Sequence, residues 1–438
     1  LKKEFPARQV GLVTATSIVV ADIIGTGIFT SLGFQVGDLP SGFVILCLWG
    51  LGGLCAMCGA LCYAELGAAL PRSGGEYHFL GKIYHPAIGF VAGWISATAG
   101  FSAPVALAAM AFGKYLAGVF PSISPVWGAL AVVWLATPFL LGTAKFGSRF
   151  QIGSTVLKIL LVFIVILAGC LAGNMESVSF APKAGDGDLI ASAPFAVSLI
   201  YVMFAYAGWN ASVYVAGEVK NPSITIPLSV GIGTAIVTIL YLGVNSVFIL
   251  TTPMPEMAGK VEVALVAAPR LFGAGGTQIM AALICVSLVS TISAMMWIGP
   301  RVMMVMGEDL RGLRWLAGRS ANGTPVHATL AQFALVNLLI VISDFEQVLT
   351  GAQVLLQLCS FLTVLGVIVL RRSNPALPRP YKAWGYPATP LIFLILSGWM
   401  LWHTIGSKPV ESAVGLAVAA TGMLLYLLTH RKCATTPT

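Results

Sequence analysis

Ile24-Gly25-Thr26-Gly27-Ile28-Phe29 interrupts an apolar run that otherwise extends over residues 11–36. A run of more than about 20 apolar residues has the length of a membrane-spanning helix. Two glycines one residue apart weaken such a helix in its middle. The break leaves backbone N–H and C=O groups without helical partners at membrane depth, which is tolerated only where protein or a cavity meets them. The hexapeptide therefore marks half of a site inside a span.

The rest of the chain agrees with a membrane setting. Of 438 residues, 58% are hydrophobic and 9% charged, against about 25% charged in a soluble domain. Too little polar surface remains to cover a water-facing exterior. Long unbroken runs such as Ile159–Cys170 select α-helices over the short alternating strands of a barrel. The formal charge of +8 lies in short clusters between apolar runs, which is a topology signal and not a nucleic-acid footprint. Cys55, Cys58 and Cys62 stand at helical spacing with no histidine or aspartate among them. They read as small packing residues, so no metal is expected. The first apolar stretch lacks a cleavage-site pattern and reads as a span, not a signal peptide.

Twelve apolar runs follow, near 11–36, 42–67, 88–116, 125–143, 150–173, 191–217, 228–252, 276–303, 325–343, 347–370, 389–406 and 410–429. An even number puts both termini on one side. That side collects eighteen Lys and Arg residues, among them Lys2, Lys3, Arg8, Arg72, Lys145, Arg371, Arg372 and Lys432. The other side holds Lys114, Lys183, Lys260, Arg270 and Lys408, and Lys158 is left deep inside a span. By the positive-inside rule both termini are cytoplasmic.

A second break, Phe204-Ala205-Tyr206-Ala207-Gly208-Trp209-Asn210, lies in the sixth run. The first and sixth spans correspond if spans 1–5 (residues 1–173) and 6–10 (residues 191–370) are two repeats, with two further helices over 389–429. Five helices per repeat force the second copy to enter from the opposite side. Interrupted helices at equivalent places of inverted repeats point to a midplane site. A single Gly-x-Gly also serves close helix packing; the matched pair favours a transporter.

The chemistry needs no charged side chain. Unwinding at Ile24, Gly25, Thr26 and Gly27 frees N–H groups at the start of a half-helix, which suit a carboxylate. The break near Ala205–Gly208 frees carbonyls for an ammonium group, and Phe204, Tyr206 and Trp209 offer an aromatic wall. Together they describe a site for an α-amino acid. In the fifth span Lys158 is flanked by Leu157 and Ile159. A central lysine costs about 2.5–3.5 kcal/mol on insertion scales, so it marks function unless it snorkels to the interface.

These residues resemble the amino acid–polyamine–organocation transporters. The resemblance rests on Gly25-Thr26-Gly27-Ile28-Phe29, Tyr63-Ala64-Glu65-Leu66-Gly67, Pro71-Arg72-Ser73-Gly74-Gly75-Glu76-Tyr77, the sixth-span heptapeptide, and Glu218-Val219-Lys220-Asn221-Pro222. Gly208-Trp209-Asn210 makes it most similar to the bacterial L-type amino acid transporter branch. The resemblance implies an all-α polytopic membrane protein of twelve helices. Its fold would be a LeuT-type 5+5 inverted repeat with helices 1 and 6 discontinuous. It also implies that Lys158 replaces a sodium ion, bridges the first and eighth helices, and contributes a protonation switch. Asp22, three residues before Gly25, is either its ion-pair or relay partner or a solvating group in an inner vestibule below the site. Ser287, Ser290, Thr291 and Ser293 offer hydroxyls from the eighth span. Tyr241 and Asn245, an i,i+4 pair, are implied to face the pocket. Glu65 and Glu76 either pair with basic loop residues or stay solvated. Eukaryotic L-type members join a heavy chain through a cysteine between helices 3 and 4; residues 117–125 contain none, so no such partner is expected.

The expected function is sodium-independent secondary transport of neutral L-amino acids, by exchange or proton coupling, in a bacterial inner membrane. A cationic amino acid or polyamine carrier of the same fold is the runner-up. An intramembrane enzyme would need convergent catalytic groups, and the five histidines are scattered. No cofactor is implied.

Overall fold

The computed structural model describes residues 10–142, 147–172, 178–320 and 323–431. Lys2, Lys3, Arg8, Lys145 and Lys432, counted above toward the cytoplasmic side, lie outside the described residues. All twelve apolar runs are helices. The first is α1a (Leu12–Ile23) and α1b (Gly27–Thr30), followed by α2 (Gly42–Ala69), α3 (Pro86–Val119), α4 (Pro125–Gly142) and α5 (Gly147–Leu171). The second half begins with α6a (Ala193–Tyr206) and α6b (Ala211–Tyr214), then α7 (Pro222–Thr251), α8 (Gly276–Asp309), α9 (Val326–Ile342) and α10 (Phe345–Ser373). The chain ends in α11 (Ala388–Ser407) and α12 (Pro409–Arg431). Eight of these segments are long and apolar enough to cross a bilayer by themselves, and α4, α5, α6a and α9 contain the shorter apolar stretches Pro125–Leu141, Thr155–Leu171, Ala193–Tyr206 and Val326–Ile342. Large exposed apolar side chains such as Phe139 and Trp402 fit a lipid-facing exterior.

Local chemistry sets the ends. The hydroxyl of Ser192 accepts from the Phe195 amide, and Asp344 and Gln347 cap α10 reciprocally. At the start of α7 Asn221 takes a left-handed conformation and Pro222 occupies the first turn. Helix α7 thus begins six residues before the apolar run and α8 ends six after it. Apolar length measures the hydrocarbon layer, whereas a helix continues into the polar boundary. Short helices at Glu76–Ile83 and Val263–Phe272 have too little apolar length to be read as spans.

The third span also departs from α geometry. In α3, residues Ser96–Ser102 form a π-helical stretch just before Pro104. Proline at 104 has no N–H to give to the carbonyl four residues earlier, which favours a local change of winding. This stretch turns Gly100 and Phe101 toward the centre of the molecule.

The broken helices occupy that centre. Helix α1a packs on α5, α7, α8 and α6b, while α1b packs on α6a. Helices α2, α10 and α11 cover α6a, and α12 lies outside, on α10 and α3. Where the described chain starts, the Val10 amide donates to Glu218 O (3.0 Å) and Val10 O accepts from the Lys220 amide (2.8 Å). The start of α1a is thereby tied to the connector after α6b.

Candidate functional site

Both breaks are real and they interlock. Helix α1a closes with the Ile24 amide on Val20 O (2.9 Å), and the chain resumes with the Phe29 amide on Thr26 O (3.0 Å). Helix α6a closes with the Ala207 amide on Phe204 O (3.0 Å) and resumes with the Ala211 amide on Gly208 O (2.9 Å). A Cβ on Gly27 would lie 2.4 Å from Ala205 Cα. One on Gly208, whose φ is +107°, would lie 2.7 Å from the carbonyl carbon of Asp22. Close packing therefore does explain Gly27 and Gly208. Gly25 differs: its Cβ would make ordinary contact with Thr291 at 3.4 Å, and the residue borders a cavity.

The carbonyls released by unwinding are taken by side chains of neighbouring helices. The Lys158 ammonium, 1% exposed, donates to Ala21 O (2.8 Å), Ile24 O (2.9 Å) and Thr291 Oγ1 (2.8 Å). All three of its N–H bonds are used, so it does not snorkel. It joins α5 to the end of α1a and to α8, in the place that the resemblance implied. From α7, the Tyr241 hydroxyl lies 2.7 Å from Ile23 O and 2.9 Å from Ala205 O, one proton serving the two breaks.

A cavity opens between the breaks. From the expected residues it is lined by Gly25, Thr26, Gly27, Phe204, Ala207 and Gly208, with Trp209, Asn210 and Thr291 beside them. Ile24, Ala205 and Tyr206, expected there too, do not line it; their side chains are buried elsewhere. Tyr206 packs on Trp49 and Tyr241 and donates to Trp49 O (3.2 Å), so it is no part of the wall. Tyr241 and Asn245 stand behind the breaks instead of lining the cavity, with Asn245 Nδ2 donating to Tyr241 O (2.8 Å). Ser290 does not reach Lys158; its buried Oγ has no hydrogen-bond partner.

Asp22 and Lys158 are not in direct contact, because the ammonium's three donors go elsewhere. The carboxylate lines the cavity, and its Oδ1 has no hydrogen-bond partner. Its place is thus on the site's wall, not in a vestibule below it. A second acid lines the same cavity: Glu76, at the start of the short helix after α2. Its Oε1 accepts from the Tyr63 hydroxyl, and its Oε2 from Tyr214 (3.2 Å) and Ser96 (3.3 Å). On α10, Gln353 and Gln357 complete the polar part of the wall. Glu76 and both glutamines were missed as site residues. The glutamines carry a signal, two amides one helical turn apart inside an apolar run.

Two separate ion-paired clusters lie outside the cavity lining. Glu65 pairs with Arg371 (2.5 Å) and accepts from the Ala383 amide (2.8 Å). Arg301 on α8 donates to Glu218 (3.3 Å) and stacks on Trp297. Glu65 therefore pairs with basic residues, whereas Glu76 binds hydroxyls; neither is solvated.

Comparison with known proteins gives one consistent result. The family described as amino acid permease matches residues 10–428. The chain is 27% identical to Asc-type amino acid transporter 1 of Mus musculus over 439 residues, covering 96% of this chain and 81% of that protein. It is 28% identical over 431 residues to large neutral amino acids transporter small subunit 2 of Homo sapiens, covering 96% and 80%. With the serine/threonine exchanger SteT of Bacillus subtilis it shares 26% over 427 residues, 96% of each chain.

Proposed function

The chain belongs to the amino acid permease family, and from that premise we propose that it is a sodium-independent secondary transporter of neutral L-amino acids. The observation that carries the proposal is the pair of interlocked breaks around one cavity, with Lys158 bonded to two carbonyls of the first break. The substrate carboxylate would lie at the amides of Thr26 and Gly27, at the start of α1b. Its ammonium would lie between the ends of α1a and α6a, with Phe204 and Trp209 against its side chain. Asp22 and Lys158 offset one another, so a zwitterion enters without adding net charge.

Alternating access follows from two repeats, residues 1–173 and 191–370, rocking about this site, with α11 and α12 as additions. Contact of α1a with α6b, and of α1b with α6a, supports movement of each pair as a unit. Lys158 holds carbonyls that would otherwise coordinate a cation, which is why sodium is not required. Exchange and proton coupling both remain compatible with a fixed ammonium there. We place the protein in a bacterial cell membrane with both termini cytoplasmic, on the Lys/Arg bias. We also propose that it works without a disulfide-linked partner, on the lack of cysteine in residues 117–125.

A second reading, transport of a cationic amino acid or polyamine, is favoured by the two acids on the cavity wall, Asp22 and Glu76. Purified protein in liposomes separates the cases. Uptake of labelled alanine into vesicles loaded with alanine, unaffected by sodium and not competed by arginine, is expected. A requirement for sodium overturns the role of Lys158, and competition by arginine favours the second reading.

A further inference from the structure

We propose that Glu76 is a proton-binding site of the transport cycle, through which a proton accompanies the substrate. The proposal rests on the transporter reading above and adds its coupling ion. Glu76 is 1% exposed and borders the substrate cavity. Its three donors come from three different elements: Tyr63 from α2, Ser96 from the π-helical stretch of α3, and Tyr214 from α6b. Tyr63 Oη is also 3.3 Å from Ser360 Oγ on α10, and Cys359 faces the carboxylate from the same helix.

Among the described residues no Lys or Arg pairs with this carboxylate, whereas Glu65, Glu218, Glu256, Glu308, Asp309 and Glu346 each pair with Arg or Lys. Lys158 interacts electrostatically with Asp22. Asp22 and Lys158 together are neutral, and so is a zwitterionic substrate. One negative charge is left, on Glu76. Closing the cavity removes water that stabilises a bare carboxylate, so closure favours the state in which a proton has neutralised it.

Protonation changes the bonding as well as the charge. The anion accepts from all three hydroxyls at once. The acid has one O–H that must donate, so at least one hydroxyl loses its acceptor or turns. Tyr214 is the partner on α6b, and the Glu76 loop is pressed against its ring: a Cβ on Gly75 would lie 2.4 Å from Tyr214 Cε1. Proton uptake at Glu76 therefore loosens α6b from α2 and α3, the step that opens the site toward the Val10 end.

The test uses reconstituted full-length protein and labelled alanine. Uptake is measured with and without an inward proton gradient, and alanine–alanine exchange is measured in parallel. Wild type is expected to show several-fold stimulation by the gradient. Whatever its absolute rate, Glu76→Gln is expected to show a stimulation ratio of one and a flat pH profile. Tyr63→Phe keeps the acid but removes one donor to its anion, so the profile midpoint moves to higher pH. The proposal is overturned if wild type is not stimulated, if Glu76→Gln keeps the wild-type ratio, or if Tyr63→Phe leaves the midpoint in place. Loss of the ratio in Asp22→Asn but not in Glu76→Gln overturns it in favour of Asp22. Absence of alanine exchange in wild type overturns the transporter reading instead.

Discussion

Lys158 Nζ lies 2.9 Å from the carbonyl oxygen of Ile24, the last residue before the first break, and 2.8 Å from Thr291 on α8. A helix interrupted at membrane depth needs its free carbonyls satisfied, and this ammonium satisfies two of them while it ties α5 to α8. Lys158→Met keeps the stem and deletes the donors. It leaves the carbonyl of Ala21 unpaired, that of Ile24 with only the Thr291 hydroxyl (3.4 Å), and Asp22 without an opposing charge. Hydrogen bonds to charged groups contribute about 1.5–3 kcal/mol each, so uptake by reconstituted protein is expected to fall by about tenfold or more. Wild-type uptake with Lys158→Met would show that the break is held by other means.

Tyr241 does for the pair of breaks what Lys158 does for one. Its hydroxyl sits between Ile23 O and Ala205 O, in a position with no access to the cavity. Tyr241→Phe preserves the ring packing on Trp49 and Tyr206 and removes only the oxygen. Loss of a buried partner costs about 1–3 kcal/mol. The variant is expected to melt at lower temperature and to turn over more slowly, with alanine still able to bind. An unchanged melting temperature together with unchanged turnover would remove Tyr241 from the account.

The parts of this site that sequence discloses are those that break a local rule. Gly25, Gly27 and Gly208 stand where a span should have good helix formers, and Lys158 stands where a span should have no charge. Each is visible within a few residues of chain. Tyr241 is found by position but assigned the wrong face, because an apolar span buried on several sides has no amphipathic stripe to orient it. Glu76, beside Arg72 and Lys82, reads only as a loop acid, paired with a basic neighbour or solvated. What buries it is the turn at Gly74 and Gly75, both with positive φ, which carries the loop back under Tyr214. Glu65 and Arg371 are 306 residues apart, and no local pattern announces such a pair.

His78, two residues after Glu76, gives a pH dependence of stability that is separate from transport. Burial, and then the charges of Arg72 and Lys82, lower its pKa from 6.5 to about 4. The folded protein therefore keeps His78 neutral while the unfolded chain takes up a proton first. The resulting stability is complete above the unfolded value of about 6.5 and is lost as pH falls from there toward about 4. Thermal melting in detergent is expected to drop over that interval, and less so in His78→Gln. Equal acid sensitivity of the two proteins would place the titrating group elsewhere.

Gly208 and Asp22 give the sharpest steric test. Gly208 has φ +107°, and a Cβ there would sit 2.7 Å from the carbonyl carbon of Asp22 and 2.9 Å from its Cβ. The left-handed backbone alone costs an L-residue roughly 1–2 kcal/mol, and the contact is with main chain, which cannot turn aside. Gly208→Ala must push α6b away from α1a, and with it the pair of breaks that shapes the cavity. Gly231 on α7 supplies the control, since a Cβ there meets nothing within 4 Å. In that helix alanine is better than glycine by about 0.5–1 kcal/mol, so Gly231→Ala is expected to melt at or slightly above the wild-type temperature and to transport normally. Gly208→Ala is expected to lose uptake and to melt lower. If instead both variants carry alanine at the wild-type rate, the interlock of the two breaks is not needed for transport, and the glycine at 208 serves packing alone.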